Sequence, residues 1–234
     1  MAGKRRSRPE SRPKDSDAIA AAERIEHEAL RKLAEIGGHG AIQDQLAAMP
    51  DRPTLVDFFE LRFGQVRSHC LQSAARALRN GVAEEAVFAC LIHDTGMVLN
   101  RPDHGFWSEA LYRPYVADKV AFALRYHQSL RFFPAPDYGY EYPEIYNRLF
   151  GENYEPDDYI QADYEYVRNH RWYDDVMQIV QNDDYSFDPD ANLTIEPFID
   201  IIGRHFLQPA EGLGHDNSAT AFMWRTIANP HRPL

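Results

Sequence analysis

The stretch Phe88–Gly96 reads FACLIHDTG, an apolar run of helical length that ends abruptly in His93-Asp94. An imidazole and a carboxylate on consecutive residues at the end of a buried helix are costly to desolvate unless something binds them. Together they suit borderline and hard divalent metals, and a carboxylate can offer its two oxygens to two different ions. The rest of the chain is therefore read for the helices that would surround this one and for the remaining ligands.

Moving outward, Val66–Arg79 (VRSHCLQSAARALR) has helical spacing and is stopped by Asn80-Gly81, and Val82–Ile92 is the helix that delivers His93-Asp94. Further helices are expected over 17–37, 40–48, Leu55–Phe63, Gly105–Leu111, Tyr115–Tyr126 with His127 near its end, Tyr159–Val180 and Ile195–Phe206, and a loop with one short helix at the C-terminus. Phe132–Tyr142, rich in Pro, Gly and Tyr, reads as an irregular loop. No alternating strand pattern, internal repeat or Gly-rich phosphate loop is present, so the fold class is all-α. Residues 1–15 are expected to be a disordered basic leader, and 16–234 a single helical domain, its core spanning about 55–185.

Composition narrows the function. The hydrophobic class is 44% and the charged class 26% of 234 residues, ordinary values for a globular protein. No apolar run is long enough to span a membrane, and no apolar segment follows the basic N-terminus as a secretory signal would require. Cys70 and Cys90 each fall inside apolar helical patterns and read as free thiols, which points to a reducing cytoplasm. The net charge is -11, and Asp137–Asp190 alone holds fifteen acidic residues against three Lys/Arg. Such an acidic body is a poor nucleic-acid surface; the expected partners are small molecules.

The ligand census starts with His69, 24 residues before His93, an interval that fits helix, glycine turn and antiparallel helix. His104 follows Asp94 by ten residues, and His127 follows His104 by 23. One carboxylate is still needed. Asp174, immediately after Trp172-Tyr173, is assigned to the apolar side of a long helix, with Asp175 as the alternative, whereas Asp183-Asp184 reads as a solvated acidic cluster. His170, four residues before Asp174, is a further ligand, a partner of one, or an exposed side chain. The second HD dipeptide, His215-Asp216, has no apolar helix feeding it and reads as loop; His27, His39, His205 and His231 read as structural or exposed.

The series His69, His93-Asp94, His104, His127 and Asp174 resembles the HD-domain superfamily of all-helical metalloproteins. The resemblance implies a helical bundle with a dinuclear site, in which one metal takes His69, His93, Asp94 and Asp174 and the other takes Asp94, His104 and His127. Most of that superfamily are phosphohydrolases whose metals activate water; a smaller branch comprises mixed-valent diiron oxygenases, including inositol- and phosphonate-cleaving enzymes. Three features resemble the oxygenase branch: Met97 where many phosphohydrolases carry a lysine after HD, the segment ALRYHQSLRFF, and Arg171–Asp175. By that resemblance Asp94 is the central catalytic residue and Arg131 and Arg125 bind an anionic substrate. The expected cofactor is two iron ions, Fe(II)/Fe(III), with O2 as co-substrate. The alternative is a phosphohydrolase using Mn, Co or Mg on a nucleotide or small phosphoester, and a non-enzymatic helical module with a vestigial site is the third reading. The Tyr- and acid-rich stretch at about 132–158 reads as an insertion that shapes the pocket.

Overall fold

The computed structural model describes residues 46–183 and 188–230, apart from the side chain of Gln65. The basic leader, the helices expected over 17–37 and 40–48, and His27, His39, Asp184 and His231 lie outside the described residues or, for the second helix, nearly so. Residues 47–234 form one compact unit. It is all-α: among the described residues there are ten α-helices, and the sole β feature is an isolated bridge between Ala135 and Tyr140.

The centre is α3 (Glu84–Ile92), preceded by α1 (Leu55–Leu61) and α2 (Gly64–Arg79). Every residue of α3 from Ala86 to Ile92 is buried, so this helix has no solvent face and must be surrounded. α2 reaches it through Asn80-Gly81, where Gly81 takes the left-handed conformation (φ 69°) that ends a helix without a Cβ penalty. α4 (His104–Tyr112) and α5 (Asp118–Leu130) pack side by side, and α5 also lies against α3. α6 (Glu144–Phe150) and α7 (Asp158–Val167) follow, and then α8 (Tyr173–Asp183) packs against α2, α3 and α5. α9 (Ile199–His205) lies on α3, and α10 (Ala221–Ala228) brings Trp224 edge-on to Phe58 and Tyr112 at 4.8 and 5.5 Å. The C-terminal segment is tied to the start of α1 by the Leu213 amide donating to the Pro53 carbonyl at 2.8 Å.

Two departures from the expected helices matter for the site. α5 continues past His127 to Leu130, because Gln128-Ser129-Leu130 carries no breaker, so His127 sits inside the helix. The single helix expected over Tyr159–Val180 is two, interrupted at 168–172. There the Asn169 side chain donates to the Glu165 carbonyl and the Trp172 amide donates to His170 Nδ1, polar bonds that compete with a continued helical ladder. The break resets the faces of everything after it.

Candidate metal centre

His69 comes from the middle of α2, His93 caps α3, Asp94 follows it, His104 opens α4 and His127 lies in α5. The structure brings all five together, and the sixth group is Asp183, the last residue of α8. Asp183 takes the place expected of Asp174. Asp174 is exposed in the first turn of α8, where it accepts from the Tyr138 hydroxyl. Nine residues separate the two, which at 3.6 residues per turn puts them on opposite faces. Val176, Ile179, Val180 and Asp183 share the buried face, at helical spacing. Asp183 is 1% exposed, the reverse of the solvated cluster expected at this position. The apolar series ending in Asp183 was the available signal; assuming one unbroken helix hid it.

The distances group the donors into two overlapping sets that share Asp94 and His93. On one side His69 Nε2 stands 2.9 Å from Asp183 Oδ1, 3.4 Å from Asp94 Oδ2 and 3.2 Å from His93 Nε2. On the other, Asp94 Oδ1 is 3.1 Å from His104 Nε2, 3.5 Å from His127 Nε2 and 3.5 Å from His93 Nε2. Donors about 2.1 Å from one ion stand roughly 3.0 Å apart at octahedral and 3.4 Å apart at tetrahedral angles. The observed spacing is one at which these donors could hold a metal ion.

The local structure also fixes which nitrogen faces inward. His93 Nδ1 donates to the Cys90 carbonyl (2.9 Å), His104 Nδ1 to Arg101 (3.2 Å) and His127 Nδ1 to Leu124 (2.7 Å), in each case three residues back. A carbonyl oxygen can only accept, so Nδ1 carries a proton and Nε2 is the nitrogen turned toward the carboxylates. A neutral ring turned this way sets its Nε2 lone pair against a carboxylate oxygen, a repulsion that a cation between them relieves. His127 Nε2 and Asp183 Oδ1 are buried and make no hydrogen bond. Burial pushes His127 down to about 4, so at neutral pH it gains no second proton. Burial also opposes the charge on both aspartates. Positive charge on the His93 and His104 rings outweighs it at Asp94, and the Arg131 guanidinium does so at Asp183; both carboxyls lie well below their ordinary value. Four imidazoles, three of them oriented in this way, and two carboxylates make a donor set that could hold metal ions.

Close packing holds the second set in place. Asp103 adopts the left-handed conformation (φ 58°), tolerated by a short polar side chain, and starts α4 at His104. A Cβ on Gly105 would lie 2.8 Å from the Arg125 carbonyl oxygen and 3.2 Å from that of Leu124, so glycine permits the approach of α4 to α5. Ser108 donates to the His93 carbonyl and accepts from the Gly96 amide at 3.1 Å, locking the turn after Asp94 onto α4. His93 and His127 have fully buried side chains, whereas those of His69, Asp94 and His104 are 12–17% exposed, so the cluster opens along one edge.

The remaining candidates divide as follows. Arg131 is buried and pairs with Asp183 Oδ2. Arg125 lies over the Phe106 ring at 4.7 Å and 3.6 Å from Asp103, the residue before His104. His170 stacks on Phe122 (4.1 Å) in an aromatic cluster with Tyr166 and Trp172. His215 is exposed, and Asp216 accepts from the Tyr115 hydroxyl at 2.8 Å. Cys70 and Cys90 are free and buried. No helix among the described residues is long and apolar enough to cross a membrane. No family model matches the chain, and no curated protein matches it.

Proposed function

We propose that the chain is an HD-domain metalloenzyme with two metal ions bridged by Asp94, and within that class a diiron oxygenase acting on a small hydroxylated, anionic substrate. The observation that carries the dinuclear reading is the division of Asp94, with Oδ2 toward His69 and Oδ1 toward His104, His127 and His93. His69, His93 and Asp183 would complete one site, and His104 and His127 the other. Two features favour iron and oxygen chemistry over phosphoester hydrolysis. The donor set is rich in imidazole, which suits iron better than magnesium. Met97, three residues after Asp94, packs partly buried on the apolar core and offers no cation to a phosphate.

When bound, a mixed-valent iron pair supplies one-electron oxidation with O2 as the oxidant. The chain's own residues would do the rest. The sealed side of the cluster, with His93 and His127, excludes water, and the open edge at His69, Asp94 and His104 admits substrate and O2. Arg125, 3.6 Å from Asp103, the residue before His104, would draw in an anionic group. Asp94, whose two oxygens face different histidines, would hold the metals.

The test is to purify the protein without oxygen, count its metals, and record the EPR spectrum with and without hydroxy-phosphonates and polyols, following O2 uptake. The reading predicts two irons per chain and a mixed-valent signal altered by a substrate. Protein that takes up no iron, yet hydrolyses a generic phosphoester with Mn or Co, overturns the oxygenase in favour of the phosphohydrolase.

A further inference from the structure

Arg131 caps the C-terminal end of α5, one helical turn beyond His127. The two residues therefore lie on one face of α5, and each meets a different half of the cluster. His127 Nε2 faces Asp94, while the Arg131 guanidinium pairs with Asp183. The pairing is specific as to atom: Arg131 takes Oδ2, and Oδ1 is left facing His69 at 2.9 Å and His93 at 3.6 Å. A carboxylate can otherwise turn through a broad, two-fold torsional range about its last bond. A guanidinium fixed on one oxygen removes that freedom and aims the other oxygen into the site.

Arg131 is itself held from both ends. Its carbonyl accepts from the Tyr140 hydroxyl at 2.7 Å, and its guanidinium carbon lies 5.3 Å from the centre of the Tyr146 ring. Tyr146 belongs to an aromatic cluster with Phe132, Phe150 and Tyr142, at ring separations of 5.2, 5.5 and 5.7 Å. The Tyr-rich segment thus bears on the metal centre through one arginine.

We propose that Arg131 is a positioning residue for the metal site that contains Asp183: it orients that carboxylate and couples it to the Tyr140–Tyr146 segment, rather than contacting substrate. The inference rests on the reading of the cluster as a dinuclear metal centre. An ion pair between Arg131 and a ligand of the metal also tempers the donation of Asp183, so both the affinity and the electronic character of the bound ion depend on it.

The experiment loads wild-type protein, Arg131→Lys and Arg131→Met with ferrous iron under anaerobic conditions. It measures iron per chain, half-saturation against a competing chelator, and the EPR spectrum, with thermal midpoints of the metal-free forms alongside. Arg131→Met is expected to raise the half-saturation of one iron by about 10–100-fold, the usual effect of losing a partner of a metal ligand. Arg131→Lys keeps the buried charge and the fold but not the planar fork, so it should restore part of the affinity while still shifting the EPR signal. Arg168→Met, which removes an exposed arginine paired with Glu165, should bind iron as wild type does. If wild type takes up two irons and both Arg131 variants bind them equally well with an unchanged spectrum, the inference is overturned alone. If wild type takes up no metal, the dinuclear reading is overturned and the inference goes with it.

Discussion

Gly105→Ala tests how finely the second half of the cluster is built. The new Cβ would stand 2.8 Å from the Arg125 carbonyl oxygen, against about 3.4 Å for an ordinary contact, so α4 and α5 must part by about 0.6 Å. The same methyl group would press on the Leu124 carbonyl, which anchors His127 through Nδ1. Metal sites tolerate roughly 0.2 Å in ligand distance, so a displacement of this size moves His104 and His127 apart by more than the second site can absorb. Overpacking of this kind costs about 1–3 kcal/mol, at roughly 2–4 °C of thermal midpoint per kcal/mol for a domain of this size. The variant should therefore unfold several degrees lower and bind one metal per chain where wild type binds two, by calorimetry and elemental analysis. Gly203→Ala is the control. It lies exposed in α9 with open space around its Cβ, and should be neutral or stabilising by up to about 1 kcal/mol. A Gly105→Ala protein with the wild-type midpoint and a full metal complement would refute the packing argument.

Three further outcomes follow from the same geometry. Asp183→Asn should lose metal and leave the Arg131 charge buried without its carboxylate, a destabilisation of about 3–5 kcal/mol in urea unfolding, whereas Asp174→Asn, on the exposed face of α8, should change stability by less than about 0.5 kcal/mol and bind metal normally. His104→Ala should remove about one metal per chain; unchanged metal content would mean that His104 is not a ligand. Burial opposes the charge on Asp216, yet its bonds to Ser218 and Tyr115 hold its carboxyl below the ordinary 3.8. A depressed carboxyl contributes stability that is present above the ordinary value and lost as pH falls through the lowered one. Tyr115→Phe should therefore narrow the stability difference between about pH 5 and pH 2; an unchanged acid profile would show that this bond does not favour the ionised form.

The sequence makes some of this plain and hides the rest for reasons that can be named. Seven consecutive buried residues before His93 mark α3 as a helix with no outside, and that run alone implies surrounding helices. The intervals from His69 to His93 and from His104 to His127 are set by helical hairpins, so local geometry suffices to read them. Asp183 is different. Its assignment depends on where one helix stops and the next begins, and the interruption at 168–172 is built from side chain–backbone bonds that hydrophobic periodicity does not register. Arg131 pairs with a residue 52 positions away, which no local pattern encodes. Gly105 reads as an ordinary residue near a helix start until α5 is laid against it. What is local could be read; what depends on one helix approaching another could not.

On the proposed function, two metal ions sit on either side of Asp94. Crystals of anaerobically purified protein, with anomalous diffraction recorded on both sides of the iron absorption edge, test it directly. The account predicts two iron peaks about 3.5–4 Å apart, one within bonding distance of His69, His93 and Asp183 and the other of His104 and His127, with Asp94 bonded to both. A single peak, a peak at Asp174, or a cluster without metal after iron loading would contradict it.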